Sequence, residues 1–261
     1  MRVRVRFSKF GSARFIGHLD IMRYFQKAFR RAGLPLCYSE GYHPHPILSF
    51  AQPLSLSFTS DGEYFDMELR DNMTEEALLQ ALNDNMCEDI TINKVAVMRD
   101  FQLNEKKSTG MSLISGAYYA ISLKDMPADL TGKLRDFSKV EDFLVEKTTK
   151  NGTKECNLSK GVHNIIYYHD GCFETLKESA DFQYGIEEIR LAMKHASLFE
   201  DQAIVVSLDA GSERNISADL FLQGILKYAG YEEPKPLRTV HRMDLFGDSE
   251  GRKVPLWMIE S

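Results

Sequence analysis

Residues 2–8, RVRVRFS, alternate without a break: Val3, Val5 and Phe7 fall on one side of an extended chain, Arg2, Arg4 and Arg6 on the other. A period of two has one simple solution, a β-strand with one packed face. The fold must therefore supply a layer to cover the apolar side and an environment for three guanidinium groups on the other. A helix follows over about residues 17–32, where 100° steps gather Met22, Phe25, Ala28, Phe29 and Ala32 on one side and Arg23, Lys27, Arg30 and Arg31 opposite. Gly33 and Pro35 end it.

A second extended segment starts at 36–39, breaks at Glu40–Gly41–Tyr42–His43–Pro44–His45–Pro46 and resumes through 47–50 and 54–58. Two prolines exclude that break from a paired central strand, so it reads as an exposed loop or edge excursion. Ser60–Asp61–Gly62–Glu63 has the composition of a hairpin turn, and Tyr64 to Leu69 alternates again with Phe65, Met67 and Leu69 inward. Thr74 with Glu75 and Glu76 opens a second helix, and 89–98 reads as a strand. The order β-α-β-β-α-β is the split βαβ or ferredoxin-like plan, which covers one sheet face with helices and leaves the other open.

Residues 101–112 read as a linker, dividing a basic domain over 1–100 from an acidic α+β domain over 113–261. In the latter, strands are expected at 117–123 and 203–208, a hairpin about Asp170–Gly171, a turn at Asn151–Gly152, and helices at 129–147, 186–195 and 218–228, with 237–246 extended. The fold class is α+β, the second unit resembling the first in element order with an insertion around 160–200.

Charge is distributed unevenly. Residues 1–60 hold nine Lys or Arg against Asp20 and Glu40, a surplus of seven cations, so at a net charge of −6 the remainder carries thirteen excess acids. A basic surface facing a polyanion or an acidic partner fits this asymmetry. The competing expectation is local: Asp66 and Glu68 lie in phase with Tyr64 and are placed to take the strand arginines as cross-strand pairs. The alternating start lacks the continuous apolar core of a secretion signal, no apolar run has membrane-spanning length, and Cys37, Cys87, Cys156 and Cys172 show no CxxC spacing. A cytoplasmic protein without membrane contact is expected. No glycine-rich phosphate loop, CxxxCxxC or nucleophile elbow is present, so no cofactor is assigned to this chain.

Arg4, Arg6, Arg14, Arg23, Lys27, Arg30 and Arg31 are the candidate phosphate contacts, Tyr38 and Tyr42 the candidate stacking rings, and His43 and His45 candidate phosphate donors. His43 and His45 are also weak metal-ligand candidates, with His18 or Asp20 closing the set, although Pro44 separates them and spacing fixes no third ligand. General acid/base cleavage of RNA by His18 or His43, with Asp20 and His45 as further candidates, needs no metal. The bland alternatives are that His18 satisfies loop backbone, that Asp20 complements the helix start and orients Arg23, and that Tyr42 and the prolines brace a turn.

The stretch from Phe7 to Leu69 carries an HLD at 18–20, a doubled arginine ahead of Gly33, Tyr38–Ser39 before a Gly-aromatic-x-Pro-His loop, and SFAQPL at 49–54. In these motifs the chain resembles the radical-SAM-linked bacterial domain of unknown function, found beside or fused to a cobalamin-binding radical SAM protein. The resemblance is weaker over 117–123, 203–211 and 240–246. Tyr42 stands where the pattern has Phe, and Ser217–Ala218 where it has Arg-Pro. It implies a binding or substrate-presenting accessory, with a radical SAM protein and RNA (tRNA or rRNA) as partners. The rival expectations are a hydrolase or endoribonuclease using His18, His43 and His45, and a protein adaptor docking through the basic helix.

Overall fold

The computed structural model describes residues 1–98, 109–124, 126–149, 152–182, 185–197, 202–212, 214–231 and 239–259. Along them run β1 (Arg2–Lys9), α1 (His18–Arg31), β2 (Leu48–Phe50), β3 (Thr59–Glu68), α2 (Glu75–Asn83), β4 (Ile90–Met98), α3 (Gly110–Leu113), β5 (Ile114–Ser122), α4 (Leu130–Phe137), β6 (Leu144–Thr149), β7 (Gly152–Asn157), β8 (Val162–His169), β9 (Cys172–Lys177), α5 (Ile186–His195), β10 (Ala203–Asp209), α6 (Ala218–Tyr228), β11 (Val240–Ser249) and β12 (Arg252–Pro255). The protein is mixed α+β, with mostly antiparallel strands. Two compact units form: Met1–Ile114 with Asp244–Glu250 and Val254–Ser261, and Ser115–Met243 with Gly251–Lys253. The first is thus discontinuous in sequence, an arrangement that no linear boundary at 101–112 captures. Residues 101–108 of the expected linker lie outside the described residues, while Thr109 caps the short α3 by accepting from Ser112 N.

In the first unit β1 is flanked antiparallel by β4 (Val5↔Val95) and β3 (Val5↔Phe65), and β2 adds to β3 (Leu48↔Met67). The alternation works as the sequence demands. Val3, Val5 and Phe7 are buried in one cluster with Phe65 and Met67 of β3, Ile21, Phe25 and Phe29 of α1, and Leu78 and Leu82 of α2. Phe25 sits at its centre, its ring centroid 4.9 Å from both Phe7 and Phe65. Gly33 at φ +63 terminates α1, a conformation open to glycine without steric cost. Thr74 Oγ1 accepts from Ala77 N at 3.2 Å to start α2.

Three expectations fail here. Ser60–Glu63 is not a turn: β3 continues through it, all four residues are buried, and β1 pairs as far as Lys9↔Ser60, with a shift in register between Phe7↔Glu63 and that pair. The Asp-Gly signal is overridden by local bonding, Gly62 N donating to Ser60 Oγ and Ser8 Oγ to Asp61 Oδ1. Residues 54–58, expected to be extended, are irregular connection instead of strand. The sheet face opposite α1 is not open either, because α3 and a 3-10 turn at Leu256–Met258 provide it with partners.

In the second unit the strand order is β5-β10-β8-β9, with β10 antiparallel to β5 (Val205↔Ala120) and to β8 (Val205↔Ile166). Asp170 and Gly171, both at positive φ, close the β8–β9 hairpin as expected. The helix expected over 129–147 stops at Phe137, and 144–149 instead pairs with β7. Val145 is buried in that strand, and Phe137, Phe143 and Tyr228 form an edge-on aromatic group. Of the expected Asn151–Gly152 turn, Asn151 lies outside the described residues, as do residues 237 and 238 of the expected 237–246 strand.

Candidate functional site

The strand arginines are internal structure. Arg4 is 1% exposed; its Nε donates to Asp66 Oδ1 at 2.9 Å, its Nη2 to Asp66 Oδ2 at 3.2 Å and its Nη1 to Leu256 O at 3.0 Å. Arg2 Nη2 reaches the same carboxylate at 3.2 Å, and Gly110 N donates to it at 2.8 Å. Arg6 Nη2 pairs with Asp244 Oδ2 at 3.1 Å, and Tyr64 OH donates to Asp244 Oδ1 at 2.5 Å. Burial pushes the Asp244 carboxyl up, with Arg6 opposing. Arg4 and Arg6 are therefore engaged inside the fold and not presented to phosphate: an aspartate in register across the strand holds one, and a residue 238 positions along the chain holds the other, so only the first partner is visible locally.

The basic stripe of α1 has the opposite fate. Arg23, Lys27, Arg30 and Arg31 are all exposed, on the side away from Phe25 and Phe29. Arg23 bonds to exposed Asp20 at 3.0 Å, and Arg31 Nη2 donates to Asn85 O at 2.6 Å. Among the described residues Lys27 and Arg30 have no ion-pair partner. Asp20 thus orients Arg23, and in water at that exposure the pair holds it only weakly.

Residues 37–47 form an excursion tied to the end of β3. Cys37 N donates to Glu68 O and Ile47 N to Cys37 O, both at 2.9 Å, and Tyr38 bridges to Pro46. His45 braces it, its Nδ1 lying 2.9 Å from Ser39 Oγ and its N donating to that oxygen at 3.1 Å. Tyr42 at the tip is fully solvent-exposed beside exposed His43, and Gly41 at φ +111 makes the bend; Tyr38 is 44% exposed. Arg14 is half-buried with its guanidinium 4.7 Å from the centre of the exposed Phe15 ring.

His18 lies elsewhere, lining a cleft with Phe7, Lys9, Ile21, Phe50, Ala51, Gln52, Pro53, Leu54, Glu63 and Tyr64, a set that contains neither His43 nor His45. It packs edge-on against Phe50 at 5.6 Å. Two of the sequence motifs, HLD and SFAQPL, therefore converge on one cleft. Lys9 and Glu63 are both buried there, Lys9 Nζ donating to Ile16 O at 2.9 Å. Sequence reasoning missed Lys9, Gln52 and Glu63 because β1 was expected to end at residue 8 and Glu63 was placed in a turn. Two signals were present: the alternation carried one residue further, and Gln52 inside the SFAQPL motif.

In the second unit His163 Nε2 lies 2.6 Å from Asp209 Oδ1, Arg214 Nη1 3.1 Å from Asp209 Oδ2, and the imidazole stacks on Phe182 at 4.6 Å. No sequence motif marks this cluster. Among the described residues no three His, Cys, Asp or Glu side chains gather as a metal-ligand set. None of their helices is long and apolar enough to cross a membrane.

No curated protein matches the chain. Residues 2–212 match a family described as an uncharacterized protein conserved in bacteria, DUF2344. That span takes in β1, α1, the 37–47 excursion and the His18 cleft, as well as Asp209 of the second unit, and by it the chain belongs to the DUF2344 family.

Proposed function

We propose that the chain is an RNA-binding or substrate-presenting accessory of a cobalamin-binding radical SAM enzyme, acting on tRNA or rRNA in the cytoplasm, and that its first unit is the RNA-binding part. One observation carries the reading: α1 buries its aromatic face while turning Arg23, Lys27, Arg30 and Arg31 to solvent, only one of them in an ion pair among the described residues. A row of cations on one helix face is the electrostatic footprint of a phosphate backbone. Exposed Tyr42 supplies a ring for stacking, and His43 a donor. The order β4-β1-β3-β2 with two helices on one face supports the ferredoxin-like description of this unit. Four free cysteines suit a reducing compartment. The radical SAM partner rests on the motif resemblance alone.

Binding to total RNA at two salt concentrations tests the reading. The wild type is expected to lose affinity steeply with salt, because each neutralised phosphate releases a counterion. Reversal of all four α1 cations to Glu is expected to abolish both the affinity and the salt slope. Salt-insensitive binding, or a reversal variant indistinguishable from wild type, refutes it.

A further inference from the structure

The exposed row on α1 does not begin with a cation. At every fourth position stand Leu19, Arg23, Lys27 and Arg31, all exposed, so an apolar side chain heads the line that three cations continue. Leu19 is 66% exposed, and two more apolar groups lie by the same end of the helix: Phe15, 61% exposed, and Leu56, 59% exposed. Their neighbours bring them there. Ser57 N donates to Arg14 O at 2.9 Å, and Ile16 N to Ala13 O at 3.0 Å in the tight turn that leads from Phe15 into α1. The Arg14 guanidinium lies over the Phe15 ring, 4.7 Å from its centre. Among the described residues Arg14 has no hydrogen-bond or ion-pair partner, and its Nε is buried without an acceptor. Single surface hydrophobes need no explanation, but three at one end of a cationic row, beside an arginine without an acceptor, do.

A duplex has no use for this end of the row. Its bases are stacked on one another, it offers a helix face phosphate and sugar, and the deep major groove of A-form RNA keeps side chains from the base edges. An unpaired strand is different, because each of its nucleotides carries both a phosphate for a cation and a flat face for a ring. We infer that Arg14, Phe15, Leu19 and Leu56 form a platform on which an unpaired base stacks, so that the RNA held by α1 is single-stranded where it meets the start of the helix; the step rests on the function proposed above. Arg14 occupies one face of the Phe15 ring and the base takes the other, with Leu19 and Leu56 at its margin. The free Arg14 donors reach the phosphate beside that base, and the α1 cations hold those that follow. Asp20, the acid of α1, does not oppose this, because Arg23 engages it at 3.0 Å.

The test uses the full chain with a single-stranded RNA oligomer carrying one 2-aminopurine, with its blunt duplex of equal length, and with phosphatidylcholine–phosphatidylglycerol vesicles, each at two salt concentrations. Expected are binding of the single strand about tenfold tighter than of the duplex, within the worth of one stacked base, and a change in 2-aminopurine emission. Phe15→Ala and Phe15→Leu are each expected to remove that preference while leaving the salt slope intact, and Phe15→Tyr, which restores a ring, to recover it. At 61% exposure these substitutions spare the core. Equal binding of strand and duplex, or a Phe15→Leu variant that binds as the wild type does, overturns the platform and leaves the α1 surface standing. Loss of all RNA binding in the wild type overturns both readings, and vesicle binding that Phe15→Ala abolishes would then assign the same face to a membrane surface.

Discussion

The Asp66 carboxylate accepts from Arg2, from two nitrogens of Arg4 and from Gly110 N, in a place where Asp66 is 2% exposed and Arg4 1%. At that burial the worth of the pair lies less in mutual attraction than in the penalty for separating its members: one buried charge without its partner is unfavourable by several kcal/mol. Asp66→Ala is therefore expected to lower unfolding stability by about 3–5 kcal/mol, read from urea midpoints, and a small change at this position counts against the assignment. Asp89 presents the milder case. Ser12 Oγ, at 2.5 Å, and then the backbone N–H groups of Ser12 and Ala13 hold its carboxyl below the usual carboxylate range. Because the folded value is depressed, its contribution is complete above the ordinary value of 3.8 and disappears as pH falls through the folded one. Asp89→Asn is expected to be less stable than wild type at neutral pH, the gap closing in acid below 3.8. Parallel stability curves for the two proteins across that range would contradict this.

Helix α1 separates packing from surface within fourteen residues. Phe25 is fully buried and meets the rings of Phe7, Phe29, Phe50 and Phe65, whereas Lys27, two positions on, is exposed. Phe25→Ala should cost about 3–5 kcal/mol as a large core truncation, and Lys27→Ala should fall within about 0.5 kcal/mol of wild type; chemical denaturation of the pair measures both. This division was readable in the sequence, because the 3.6-residue period and the strand period of two are local properties that packing then amplifies. What escaped was set by distant neighbours. Asp-Gly at 61–62 has turn composition, yet β1 pairs on either side of it, Phe7↔Glu63 and Lys9↔Ser60, with an irregularity in register between them. The run at 144–147 closes the expected helix, yet β7 gives it a strand partner. The alternation announced Arg4 and Arg6 as one face of a strand, but Asp244 and the Leu256 carbonyl that receive them lie more than 230 residues on, beyond any local pattern.

At the scale of the whole chain, those late residues make the first unit incomplete as a continuous piece. A fragment ending at Ile114 keeps β3 and β4 on either side of β1 but loses Asp244 from Arg6 and Tyr64, the Leu256 carbonyl from Arg4, and the Trp257 ring that lies 4.9 Å from Lys94 Nζ. Hydrogen bonds to charged groups contribute about 1.5–3 kcal/mol each, and a whole domain is stable by only about 5–15 kcal/mol. Losing two or three of them while leaving guanidinium groups partly desolvated removes much of that margin. Residues 1–114 alone are therefore expected to show a broad, weakly cooperative urea transition. The same residues joined through a flexible Gly/Ser linker to 240–261 should recover a sharp transition, because the strand-borne arginines regain their acceptors. If the short fragment unfolds as cooperatively and at the same midpoint as the joined one, the burial of Arg4 and Arg6 contributes nothing to holding the unit together, and the alternation at 2–8 would owe its stability to the Val3, Val5 and Phe7 face alone.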